Sequence, residues 1–307
     1  MAAWESELIR EIVPHQYIYE EVKGEWLEYS LGIFLLSSPE KVEEGQEIYR
    51  DIEAYDGTII LDEDKFTDRY TIPAGTRYDL AVIEILEGAG IKKYNIESSD
   101  KTLANDLEYE PGASKIEVIN ELLESINYTT LWVDEWGYFT SSRYIPPSER
   151  APDYEYIDDE LSVTENGISE ELDLYSVPNK WLVTYENVDG EEEDKVFLQS
   201  VYTNDSWDSP TSTVNRGRVI VDYRNVTEIA DQESLDAYTK RIATEASQIY
   251  GKIKFTTANM PLHSYMDIIR IRNNTLAIDE QFTETAWTIP LEAGGKMSHE
   301  GRRVVNI

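Results

Sequence analysis

The chain has 307 residues, 41% hydrophobic and 11% aromatic, which is enough for one large core or two to three small ones and excludes wholesale disorder. Its 61 acidic and 27 basic side chains give a formal charge of −34, which argues against a general duplex-DNA or anionic-membrane binder. The absence of cysteine excludes disulfide scaffolds, thiolate zinc sites, iron–sulfur ligation and cysteine nucleophiles.

No apolar run approaches the roughly 18 residues of a membrane helix, and the opening MAAWESELIREIV lacks the basic and apolar regions of a signal peptide. A soluble, acidic, globular protein without direct membrane insertion is expected. Gln16–Val22 alternates with period two and reads as a strand, Leu31–Leu36 is a short apolar run, and Ile48–Tyr55 alternates again up to the turn pair Asp56-Gly57. From about Thr67 the pattern changes. Thr76-Arg77-Tyr78-Asp79 fits a capping box before Leu80, Val82, Ile83, Ile85 and Leu86, with Gly88 and Gly90 to end the helix. A second box, Ser114-Lys115-Ile116-Glu117, opens a helix with Ile116, Ile119, Leu122, Leu123 and Ile126 on one face. Thr129–Val133 and Tyr138–Tyr144 then form a hairpin around Glu135-Trp136-Gly137.

Pro146-Pro147 through Pro152 reads as a linker, and a second boundary falls near Pro178. Trp181–Val188 and Lys195–Tyr202 flank the charged tip Asp189–Asp194 as a hairpin. Asp231–Tyr250 is a helix with Leu235, Tyr238, Ile242, Ala246 and Ile249 as its buried stripe and Gly251 as its stop. Strands over Lys252–Ala258, Met266–Arg272, Phe282–Leu291 and Arg302–Ile307 complete a β-rich chain with a small α+β insertion.

Chemistry-bearing motifs are sparse. His15, His263 and His299 are far apart in sequence and belong to no ligand motif; His263 would serve as a base only if folding supplied a serine and an acid. Asp62-Glu63-Asp64 faintly suggests calcium but lacks the spacing and glycine of an EF-hand loop, so a solvated turn is the plainer account. Carboxylate pairs such as Asp134/Glu135 and Asp158/Asp159 are uninformative in so acidic a chain. No phosphate-binding loop, dinucleotide fingerprint or nucleophile elbow occurs, and no catalytic, cofactor or metal residue is assigned. Trp132 and Trp136 flank a hairpin, where β-proteins commonly pair aromatics, whereas Trp207 sits in the loop-like Asn204–Asp208 and is the one candidate ligand contact.

A set of stretches, in order, resembles the minor tail or baseplate hub family of siphophages and related prophages. They are LGIFLLSSPE (31–40), RDIEAYDGTIILDEDKFTDRYTIPAGT (50–76), YEPGASKIEVINELLESINYTTLWVDEWGYF (109–139), YIPPSERAPDYEY (144–156), LDLYSVPNKW (172–181), SPTSTVNRGR (209–218) and MPLHSYMD (260–267). The resemblance runs through most of residues 26–307. It implies a mainly β structural protein with two β-barrel-like, tail-tube-like domains. The first spans residues 1–66 and is completed by about 148–178, the α+β insertion is 67–147, and the second spans 179–307 with the helix near 231–250 packed on it. Family members usually carry a longer β-rich segment before the LGIF strand, so the first β-domain is expected to be incomplete or completed by a neighbouring subunit.

The resemblance further implies a non-enzymatic homotrimer without cofactor. It would be assembled in the bacterial host cytoplasm and would join the tail tube or distal tail protein to tip or fibre proteins at the tail tip of the virion. Three chains with two tube-like domains each would present a pseudo-sixfold ring. A receptor- or carbohydrate-binding tail module is the alternative, and a cell-wall hydrolase comes third. Passing genomic DNA is not expected to bind tightly. Three times −34 charges facing a lumen would repel the duplex wherever the wall lies within about 8 Å, the Debye length at physiological salt. The same charge would equally keep an exposed surface soluble.

Overall fold

Period-two alternation of burial runs through most of the chain and makes it mainly β, with few helices. The computed structural model describes residues 11–37, 40–45, 47–159, 163–165, 167–173, 175–186, 196–248, 250–305 and 307. The chain separates into two compact units, Met1–Leu123 with Thr130–Ser142, and Glu124–Thr129 with Arg143–Ile307.

The first unit is a set of small sheets. Strands β1 (Glu11–Ile12), β2 (His15–Glu20), β3 (Glu25–Ser30), β4 (Phe34–Leu36), β5 (Glu40–Glu44), β6 (Glu47–Asp51) and β7 (Ala54–Tyr55) precede helix α1 (Thr58–Glu63). They pair as the hairpins β2–β3 and β5–β6 and the three-stranded order β1-β4-β7. In β2–β3 the register sets Tyr19 opposite Trp26, and their rings meet at 5.4 Å. Asp56-Gly57 does turn the chain, but into α1: Asp56 accepts from the Thr58 amide at 2.9 Å. The acidic run 62–64 closes that helix, and Asp64 is ion-paired with Lys115 rather than gathered with other carboxylates.

Next come β8 (Tyr70–Ile72), α2 (Tyr78–Gly88), β9 (Tyr94–Ile96), β10 (Leu107–Tyr109), α3 (Lys115–Ser125), β11 (Trp132–Val133) and β12 (Phe139–Ser141). The expected helices and the β11–β12 hairpin are present, and β12 also pairs in parallel with β9. The Thr76 capping box does not form. Arg77 occupies the N-cap without a side-chain cap bond, and Asp79 is turned onto the Arg77 guanidinium at 3.0 Å. The C-terminus behaves as expected: Gly90, at φ 82°, lets its own amide reach Glu87 and the Ile91 amide reach Leu86.

In the second unit the expected linker 146–152 is held in place. Pro147–Glu149 is a 3₁₀ turn, and Arg150 donates to the Met266 carbonyl at 2.6 Å. Strands β13 (Tyr154–Ile157), β14 (Ser169–Leu172), β15 (Lys180–Glu186) and β16 (Phe197–Thr203) lead to α4 (Thr213–Arg216), β17 (Val221–Val226), α5 (Gln232–Gln248), β18 (Gly251–Ala258), β19 (Ile268–Asn273), β20 (Ile278–Thr288) and β21 (Lys296–Arg303). The hairpin β15–β16 is antiparallel as expected, with its tip, 187–195, outside the described residues. With β17 it forms a three-stranded sheet on which α5 packs. Leu235, Tyr238 and Ile242 pack with Trp181, Val183 and Tyr185, Ala246 lies partly buried against this core, and Ile249 falls outside the described residues.

Two expectations are corrected here. Residues 148–178 do not complete the first β-domain. They supply β13, parallel to β19, and β14, antiparallel to β18, as the two edges of a sheet ordered β13-β19-β20-β21-β18-β14. Nor does that sheet close into a barrel among the described residues, because no ladder joins its two edges. The last strand also begins earlier than its apolar residues indicated, at Lys296. Met297, His299 and Gly301 point inward from it, and only the methionine carries a hydrophobic signal.

Candidate functional site

Alternation on the six-stranded sheet creates a buried polar cluster. On β18, Ile253, Phe255 and Thr257 face inward, and on β21, Met297 and His299 do the same. The register sets His299 opposite Phe255, and the two rings stack at 4.4 Å. On β20, Glu284 follows the buried Phe282 on the same parity, just before a bulge between Glu284 and Ala286 ends the regular pairing. His263 enters from the β18–β19 connection. That connection is fixed by the Tyr154 hydroxyl on the Leu262 carbonyl (2.9 Å) and by Asp267, which accepts from the Ser264 amide at 2.7 Å.

The side chains of His263, Glu284 and His299 are fully buried. His299 Nδ1 contacts Glu284 Oε1, and His263 Nδ1 lies 2.5 Å from Glu284 Oε2, with Asp267 Oδ2 at 3.5 Å. The remaining ring nitrogens are held from outside: His263 Nε2 by the Tyr156 hydroxyl at 2.6 Å and His299 Nε2 by Thr257 Oγ1 at 2.8 Å. Burial disfavours the imidazolium of His263, but the Asp267 and Glu284 carboxylates outweigh it and push its pKa up to about 9. Burial likewise opposes the charge on Glu284, and the two imidazoles overcome it, holding the carboxyl below its usual range. Such a cluster can hold protons or a cation. With no exposed side-chain surface on its three central members, it presents no face to a polymer substrate.

Sequence reading missed this cluster because its members are 15 to 36 positions apart and none sits in a spacing motif. The one usable signal was Met297-x-His299-x-Gly301 as an alternating strand. The other histidine, His15, is on β2 beside Glu28 at 3.1 Å. Asp134 is a turn residue, accepting from the Trp136 and Tyr138 amides.

Trp207 is 78% exposed, on a loop that is firmly tied. Asn204 donates to Ser209 at 2.8 Å, and Asn215 donates to the carbonyls of Trp207 and Ser209 at 2.8 and 2.9 Å. The stretches 172–181 and 209–218 clasp each other. Asn179, fully buried, donates to the carbonyls of Thr211 and Arg218 and accepts from the Ile220 amide. Arg216 reaches the carbonyls of Val177 and Tyr175, and the Arg218 guanidinium lies 4.6 Å over the Tyr175 ring. These two stretches build a bonded loop.

No protein-family model and no curated protein matches the sequence. Solved structures do match the fold along nearly its whole length. A tail protein from Neisseria meningitidis superposes with a TM-score of 0.65 at 12% identity, over 96% of this chain and 89% of that one. The 43 kDa tail protein of prophage MuSo2 from Shewanella oneidensis gives 0.64 at 11%, over 95% and 88%. The prophage tail protein gp18 from Listeria monocytogenes gives 0.56 at 13%, over 95% and 83%. The chain therefore has the fold of prophage tail proteins, as the sequence resemblance implied.

Proposed function

We propose that this protein is a non-enzymatic structural component of a phage-type tail. In this reading it is a homotrimeric hub at the tail tip, joining the tail tube or distal tail ring to tip or fibre proteins. The observation that carries the reading is the end-to-end fold likeness to three prophage tail proteins, with more than four-fifths of each of those chains covered. Exposed apolar side chains support it as well. On the face of the β16-β15-β17 sheet away from α5, the register aligns Val201, Leu182 and Tyr223, with Val201 and Tyr223 about half exposed or more. Tyr17, Tyr19 and Trp26 are similarly open on the β2–β3 hairpin. Such surfaces suit subunit contacts. Antibody raised against the chain should decorate one end of assembled tails; decoration along the whole tail, or of the head, would overturn the hub position.

A receptor- or carbohydrate-binding module is the second reading, favoured by Trp207 held open on a bonded loop. Glycan-array binding that disappears in Trp207→Ala would establish it, and an array with no binding would remove it. A wall hydrolase is disfavoured, because the His263–Glu284–His299 cluster is sealed from a glycan strand.

A further inference from the structure

We propose that His263, Glu284 and His299, joined by Asp267, form a binding site for one divalent cation of the zinc class. The site is independent of the tail-hub reading. One ligand atom from each of the first three residues lies within 4.8 Å of the others, and all three residues are buried.

Three observations point to a cation. First, His263 Nδ1 and Glu284 Oε2 are both buried and lie 2.5 Å apart as an ion pair, with no further hydrogen-bond partner for either atom among the described residues. Two ligating atoms thus converge on one buried point and have no other hydrogen-bond partner to satisfy them. Second, the outer nitrogens are already committed. The Thr257 hydroxyl gives its proton to the Ala258 carbonyl at 2.7 Å, so it must accept from His299 Nε2–H. His299 Nδ1 then faces Glu284 Oε1, its hydrogen-bond partner, which is the arrangement of a metal-binding imidazole held by an outer hydrogen bond. On His263 the Tyr156 hydroxyl lies behind Nε2 at 2.6 Å.

Third, the charges match. Glu284 and Asp267 bring two carboxyl groups to a pocket walled by Tyr154, Tyr156 and Phe255, Asp267 Oδ2 lying 3.5 Å from His263 Nδ1. One dication balances two carboxylates. Two imidazole nitrogens with two carboxylates form a set for zinc or a similar transition ion, while calcium and magnesium prefer sites built wholly of oxygen. Loading the site would open the His263 Nδ1 to Glu284 Oε2 spacing to about 3.3 Å, as tetrahedral bonds of about 2.0–2.1 Å require. The ion would tie the β18–β19 connection to β20 and β21 through side chains as well as through the sheet ladder.

The test uses the full chain, purified from zinc-supplemented cells and measured by elemental mass spectrometry. The expected content is about one zinc per chain. After chelation, stoichiometric Zn²⁺ should raise the thermal midpoint, and Co²⁺ should give the strong visible absorption of a four-coordinate site. His299→Gln and Glu284→Gln should lose both responses. If either variant fails to fold, the cobalt spectrum of the unaltered chain decides. A folded chain that holds no zinc and shows neither response contains a proton-bridged cluster, and the proposal fails. Zinc retained undiminished by folded His299→Gln also overturns it.

Discussion

Thr257 Oγ1 accepts from His299 Nε2 at 2.8 Å and passes its own proton to the Ala258 carbonyl at 2.7 Å, so one threonine hydroxyl fixes the tautomer of a wholly buried histidine. Thr257→Val keeps the shape and removes the acceptor. It should cost about 1–3 kcal/mol in denaturant unfolding, the penalty for a buried unpartnered N–H. Thr257→Ser keeps the hydroxyl and should recover most of that.

The clasp between 172–181 and 209–218 depends on Asn179, whose buried side chain makes three hydrogen bonds. Asn179→Ala should destabilise by about 2–4 kcal/mol, because two carbonyls and an amide lose their partner together. Trp207→Ala, on the same loop but 78% exposed, should stay within about 0.5 kcal/mol. Chemical denaturation of both variants checks the contrast.

Gly90 ends α2 at φ 82°, and a Cβ there would meet nothing within 4 Å. Gly90→Ala should therefore cost only the left-handed backbone penalty, about 1–2 kcal/mol, with no steric addition. A neutral result in thermal unfolding would show that the helix end relaxes to another conformation.

Much of this fold is legible in the sequence, for reasons visible residue by residue. The α5 stripe of Leu235, Tyr238 and Ile242 reads correctly because helical period and burial coincide there. The β15–β16 hairpin reads correctly because Trp181, Val183 and Tyr185 alternate inward. The Thr76 box misleads because Asp79 is drawn to Arg77 and to backbone amides, a competition that local spacing does not reveal. The strand β21 is misplaced because its inward residues include a histidine and a glycine. The cluster at Glu284 is invisible for the same reason, since it exists only through the register of β18, β20 and β21.

Asp79 also gives a pH dependence. Burial would raise its pKa, but the Arg77 guanidinium and the amides of Ser99 and Leu80 outweigh burial and hold the carboxyl below its usual range. A depressed folded-state pKa contributes stability above the unfolded value, near 3.9, and that contribution disappears as pH falls through the folded pKa. Asp79→Asn should therefore flatten the acid limb of a stability–pH profile below about pH 4 and lower stability at pH 7. An unchanged acid limb would contradict the assignment.

The tail-hub reading stands or falls on assembly. The most direct measurement is the native mass of the purified chain, alone and mixed with the tube and distal tail proteins of its particle. The account predicts a mass of three 35.4 kDa chains and a stable complex with at least one of those partners. A chain that remains a monomer and joins neither would contradict it.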